Sequence, residues 1–120
     1  MFKRFFDRLR EDVSIQRAET IREWVEHQPG VTLISAVAPR SVAKVAGVVD
    51  VMRVRPRQGV QAFEADVTDG TGTVTAVWLG RSTVPGVSIG ARIVLEGRFG
   101  GDRTNLHVIN PAFEFASPGH

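Results

Sequence analysis

The order of apolar and polar residues changes its period once along the chain, near Pro29-Gly30. Before that point, Phe2, Phe6, Leu9 and Val13 recur at spacings of four, three and four, which places them on one face of a helix. A second stripe, Ala18, Ile21 and Val25 with Trp24 beside it, runs to about His27. Asp12-Val13-Ser14 reads as a break between the two, with Ser14 able to cap a second helix. Pro29-Gly30 then ends the helical pattern. Such an amphipathic helix docks either on its own domain or on a second copy of itself.

From Ile34 onward the alternation is that of strands. Residues 42–55 are rich in valine with Gly47 inside the run, and an isolated glycine there predicts a bulge or sharp bend. Pro56-Arg57-Gln58-Gly59 is a turn signal. Phe63, Ala65 and Val67 alternate with Glu64, Asp66 and Thr68, the pattern of a half-buried strand with the apolar set inside. Asp69-Gly70-Thr71-Gly72 predicts a tight hairpin connection into a third strand, 73–79, which Gly80 closes. Residues 81–90, with Pro85-Gly86, form a connecting segment with at most one turn of helix. The fourth strand, 91–99, sets Ile93, Leu95 and Phe99 against Arg92, Val94, Glu96 and Arg98. Gly100-Gly101-Asp102-Arg103 turns the chain into a fifth strand, 104–109, which Asn110-Pro111 interrupts before Phe113 and Phe115.

Five strands in about 75 residues with no crossover helix suit a small closed barrel, whereas a sandwich uses about seven. A long bent first strand and a linker between strands three and four follow the order of the OB-fold. The expected architecture is therefore mainly β: a helical segment at 1–30, a five-stranded OB-fold barrel at 34–116 and a short tail at 117–120.

Particular motifs carry a resemblance. Val45-Ala46-Gly47-Val48-Val49 resembles the opening strand of bacterial OB-fold domains. The stretch from Asp66 to Trp78, with Asp69-Gly70-Thr71-Gly72 at its centre, resembles their hairpin, and residues 87–97 their fourth strand. Asn110-Pro111-Ala112-Phe113-Glu114 resembles the closing motif. Over residues 40–116 the chain is similar to the wedge OB domain of RecG helicase and to the anticodon-binding OB domain of aminoacyl-tRNA synthetases. It also resembles small actinobacterial OB-fold nucleic-acid-binding domains. The resemblance implies a polynucleotide bound on the face of strands two and three, between the loops joining strands one–two and four–five. The helicase and synthetase catalytic domains have no counterpart here, so their specific roles do not transfer.

Charge sharpens this picture only once it is divided along the chain. The isoelectric point is about 9.9, yet the net charge is only +2. With no Cys or Tyr and lysine only at Lys3 and Lys44, little titrates between neutral and alkaline pH. Residues 1–30 are neutral. Between Arg40 and Arg57, by contrast, Arg40, Lys44, Arg53, Arg55 and Arg57 face a single acid, Asp50. Arg53, Arg55 and Arg57 alternate and so share one side of an extended chain. Their planar forks suit phosphate, through contacts that are sequence-blind and salt-sensitive. The competing reading is a charged strand edge that prevents edge pairing. Arg81 and Arg103 add candidate contacts, Arg103 from the loop between strands four and five. Glu64, Asp66 and Asp69 oppose them, since acids on that face would repel phosphate.

Trp78 depends on which side of its strand faces inward. With Thr75, Val77 and Leu79 in the core, Trp78 would lie on the ligand face and stack on a base. With Val74 and Ala76 in the core, it is packing.

The remaining classes are excluded in turn. The absence of cysteine removes disulfides, thiolate metal sites and thiol nucleophiles. His27, His107 and His120 have no ligand spacing, and neither lysine follows a phosphate-binding glycine loop. No catalytic residue, cofactor or metal is expected. The longest uncharged apolar stretch, 31–39, is too short to cross a bilayer, and residues 1–28 lack the apolar centre of a secretory signal. The expectation is a cytoplasmic, non-catalytic module that binds single-stranded DNA or RNA with little sequence preference. The alternative is a protein-binding adaptor or homodimer using residues 1–28, where Phe2, Phe5 and Phe6 crowd together, and the barrel surface.

Overall fold

The computed structural model describes residues 20–116. The Phe2, Phe6, Leu9 and Val13 stripe, Phe5, the Ser14 cap and the 117–120 tail lie outside the described residues. Six strand segments follow one another: β1 (Ser41–Arg57), β2 (Val60–Thr68), β3 (Thr73–Leu79), β4 (Arg92–Gly100), β5 (Leu106–Ile109) and β6 (Ala112–Phe115). They form one sheet in the order β1-β2-β3-β5-β4-β6, and a β1–β4 pairing closes it into a ring. This is the expected five-stranded OB-fold barrel, with β5 and β6 as two pieces of its fifth strand.

The break between those pieces has a local cause. Pro111 has no N–H to give, and Asn110 takes a left-handed backbone conformation, φ 48°. The break stays fastened to β3: Asn110 donates its N–H to the Val77 carbonyl at 2.7 Å. Its side-chain oxygen accepts from the Leu79 N–H at 3.1 Å.

Alternation decides what fills the barrel. Phe63, Ala65 and Val67 of β2, Val74, Ala76 and Trp78 of β3, and Ile93, Leu95 and Phe99 of β4 meet in one buried cluster. Residues 34–36, read from the sequence as the start of strand periodicity, instead make a 3₁₀ turn that buries Ile34. Asp69 fixes this turn. Its fully buried carboxylate accepts from the N–H groups of Ile34 (2.7 Å), Thr71 (2.8 Å) and Gly72 (3.2 Å) and from the Thr71 hydroxyl (2.6 Å). The Asp-Gly-Thr-Gly run thus closes the β2–β3 hairpin and ties it to the segment leading into β1.

Residues 20–26 are helical and lie against the outside of the barrel. Ile21 and Val25 join Ala46 and Val48 of β1 and Val94 of β4 in a second apolar cluster. Burial of this kind stabilises by about 1.5–3 kcal/mol per side chain. The Arg92 guanidinium sits 5.3 Å from the centre of the Trp24 ring, a cation–π contact at the margin of the cluster.

β1 changes partner halfway along. Ser41 to Val48 pair with β4, and Val48 to Arg57 pair with β2. The extra residue of the bend is Asp50, where the register with β2 shifts between Val49 and Val51, and not Gly47 as the sequence pattern suggested. Gly47 serves close approach: a Cβ there would lie 2.5 Å from the Thr68 carbonyl oxygen. The bulge has a consequence for every later side chain. Val45 and Val49 point into the core, so unbroken alternation would send residues 53, 55 and 57 inward as well. The additional residue turns Arg53, Arg55 and Arg57 outward instead.

Candidate functional site

The β1–β2 hairpin closes through Gln58 and Gly59, both with positive φ (53° and 79°), as a two-residue turn requires when its twist matches the strands. That turn sets the cross-strand rows of the outer face. Arg53 lies opposite Glu64, which lies opposite Val77, and Asp66 lies opposite Thr75.

Three guanidiniums converge on one carboxylate in this arrangement. Glu64 has no exposed surface. It accepts from Arg53 Nε at 2.8 Å, Arg55 Nε at 3.1 Å and Arg57 Nη1 at 3.2 Å. Asp66 takes the other edge of Arg53 in a bidentate contact at 3.1 and 2.8 Å, and also accepts from the Thr75 hydroxyl at 2.8 Å. Burial is the largest influence on the Asp66 carboxyl and works to raise its pKa. The hydrogen bonds from Arg53 and Thr75, with the charges of Arg53 and Arg55, outweigh it and hold the group below its ordinary value. The Asp66 hydrogen bond is in turn the main reason the Arg53 pKa is raised, against the opposing effect of burial.

The acids the sequence counted against phosphate binding are therefore not a repulsive surface. Asp69 is inside a turn, and Glu64 and Asp66 are neutralised by the arginines above them. Three guanidiniums and two carboxylates leave a local excess of one positive charge. The arginines also differ in what they have left to offer. Arg53 commits Nε, Nη1 and Nη2 to the two acids. Arg55 and Arg57 each make one such contact among the described residues, and the Arg55 side chain is 56% exposed.

The other expected contacts are distributed around the barrel. Arg81 follows Gly80, whose N–H bonds the Gln61 carbonyl, so it shares the hairpin end with Arg57. Arg40 sits before β1, donating its N–H to Phe99 and accepting from Arg98 at 3.0 Å through its carbonyl. Arg103, in the β4–β5 loop, lies by Ser35, Thr71 and Thr73. Arg103 is thus at the opposite end of β2 from the hairpin turn, about 25 Å of strand away, and Arg40 lies beside the end of β4. Lys44 pairs in register with Glu96 on the half of β1 next to the helix.

Trp78 corrects the stacking expectation. It is 5% exposed, with Phe63 at 5.8 Å and Phe113 at 5.5 Å between ring centres, and presents no face to a base. Thr75, Val77 and Leu79 form the outward set. Its indole N–H is buried with no acceptor among the described residues. The aromatic row continues to Phe113 and Phe115, whose rings are 5.7 Å apart and which are 40% and 38% exposed. Met52 and Val54, on the inward side of the hairpin, are also partly exposed. Among the described residues, no three His, Asp or Glu side chains gather as a metal site would require. None of the described helices is long and apolar enough to cross a membrane.

No protein-family model and no curated protein matches the chain. Among solved structures it is similar to the solution NMR structure of the replication factor A related protein from Methanobacterium thermoautotrophicum. The TM-score is 0.52 at 19% sequence identity, over 78% of this chain and 94% of that one. At that identity the likeness concerns the fold, and it agrees with the ring of strands described above: the chain is an OB-fold barrel.

Proposed function

We propose that this protein is a non-catalytic OB-fold module that binds single-stranded nucleic acid with little sequence preference, through the outer face of the β1–β2 hairpin. The observation that carries the reading is the fan of Arg53, Arg55 and Arg57 over a buried carboxylate. Arg55 and Arg57 each commit one nitrogen to Glu64 among the described residues, and a planar fork with donors to spare suits phosphate oxygens. Arg53 acts by holding the fan in place. Arg81, at the same end, extends the basic track. The resemblance of the β2–β3 hairpin and closing motifs to nucleic-acid-binding OB domains supports a polynucleotide ligand, as does the fold shared with the replication factor A related neighbour.

Labelled single-stranded DNA and RNA, titrated with the protein at two salt concentrations and followed by anisotropy, test this. Binding is expected to weaken with salt and to fall more than tenfold in an Arg55→Gln/Arg57→Gln double variant, with Arg53 left intact to preserve the fold. No binding to either polymer at low salt would sink the proposal.

One observation favours a second reading, a protein partner or a second copy of the chain. Val54 of β1, opposite Phe63, and Phe113 and Phe115 of β6, the first edge-on to Trp78, are 38–45% exposed, apolar surface on the side of the sheet away from the arginines. Sedimentation over a wide concentration range decides the homodimer form of this idea. A mass that stays at 13.1 kDa at every concentration rejects it.

A further inference from the structure

The least expected group on the arginine face is its buried acid. Glu64 occupies an outward position on β2, yet no part of it reaches solvent. It cannot touch a partner and acts only through the guanidiniums that cover it. Packing alone does not require a carboxylate between Ala62 and Asp66, because an amide of the same shape fills the same volume. The charge must therefore matter for the arginines.

The contacts grade in a consistent order. Arg53 is held at 2.8 Å by Glu64 and twice more by Asp66, whereas Arg55 and Arg57 are each held by Glu64 through one contact, at 3.1 and 3.2 Å. The two arginines with the longest and fewest contacts are also those with donors left for a phosphate. A phosphate approaching them meets the excess of one positive charge that remains after Glu64 and Asp66 are counted, not three.

We propose that Glu64 is an internal counter-ion: it holds the arginine fan together in the free protein and competes with polynucleotide phosphate for Arg55 and Arg57, keeping affinity low and release fast. This rests on the nucleic-acid reading above. Its signature is that removing an acid from the binding face, with the fold retained, strengthens binding. A purely structural Glu64 would give the opposite.

The test compares the full chain with Glu64→Gln, which keeps the shape and one acceptor oxygen. Both are titrated into a labelled thymine oligonucleotide and its uridine counterpart at about 50 mM and about 200 mM salt. The expected result is binding about tenfold tighter at the lower salt. The dependence of log affinity on log salt should steepen by about 0.7, the increment for one more neutralised phosphate on a single strand. Asp66→Asn, which removes the more exposed of the two acids, should shift both quantities the same way by a smaller amount, and it serves if Glu64→Gln melts below the assay temperature. If the parent chain binds but neither variant tightens or steepens the slope, the counter-ion proposal is overturned while the nucleic-acid reading stands. If neither the parent nor a variant binds at low salt, the nucleic-acid reading falls, and this proposal with it.

Discussion

β1 is one strand with two different outer surfaces. From Ser41 to Val48 it turns Lys44, Ala46 and Val48 outward, and a helix covers the apolar pair. From Val51 to Arg57 it turns Arg53, Arg55 and Arg57 outward, with acids from β2 beneath them. The three arginines mark the second half in the sequence, but alternation alone does not say which way they face. What separates the two halves is one additional residue at Asp50, together with the end of β4 at Arg92, past which β1 continues with β2 alone. A single inserted residue thus converts one strand into a docking surface for its own helix and a charged surface open to solvent.

Several substitutions break or sharpen that contrast. The largest effect is expected from Gly47→Val, at the point where the halves meet. A Cβ already overlaps the Thr68 carbonyl, which is backbone and cannot swing aside, so two further methyl groups should cost about 3 kcal/mol or more in urea-monitored unfolding. Next is Arg53→Ala, which strips Asp66 of its bidentate partner and Glu64 of its shortest contact. A loss of about 2–3 kcal/mol is expected, below the value for a fully buried pair because the Arg53 side chain is 30% exposed.

Asp66→Asn should cost about 2 kcal/mol at neutral pH, as a charge-assisted hydrogen bond is weakened. It should also alter the acid limb. The folded carboxyl lies below its ordinary value, so the folded state binds fewer protons than the unfolded one. Its stabilisation is therefore complete above about pH 4 and is lost as pH falls through the folded value. Urea midpoints measured across that range should fall less steeply in Asp66→Asn than in the parent. The smallest change in stability, under about 1 kcal/mol, is expected for Arg55→Ala, because that side chain is mostly solvated. The same variant should weaken polynucleotide binding, and the divergence between Arg53 and Arg55 would separate the member that holds the site from the member that contacts phosphate.

Much of this contrast was readable from the sequence, but not its sense. Alternation assigned Phe63, Ala65, Val67, Ile93, Leu95 and Phe99 to the core, because a half-buried strand needs period two and has a single way to satisfy it. The same alternation left Trp78 undecided, since both faces of β3 carry apolar residues and only the packing of Phe63 and Phe113 against the indole chooses between them. The bend in β1 was legible as a bend. Gly47, the residue with unusual conformational freedom, predicts the bulge at its own position, while the insertion lies at Asp50. The pairing of Arg53 with Glu64 was within reach: a two-residue turn at Gln58-Gly59 places those positions opposite one another.

By itself the sequence determined the class of the molecule. Strand periodicity, turn residues and the absence of a crossover helix admit a small barrel and little else, because each strand must bury one face and no helix lies between the strands to cover a parallel sheet. It also determined that three guanidiniums share a side. Tertiary structure decided which side that is and what stands beneath it. A register shift of one residue reverses every side chain beyond it, and no local pattern encodes which partner strand will impose that shift. For the same reason the acids of β2, which looked repulsive in sequence, became the groups that hold the arginine face together.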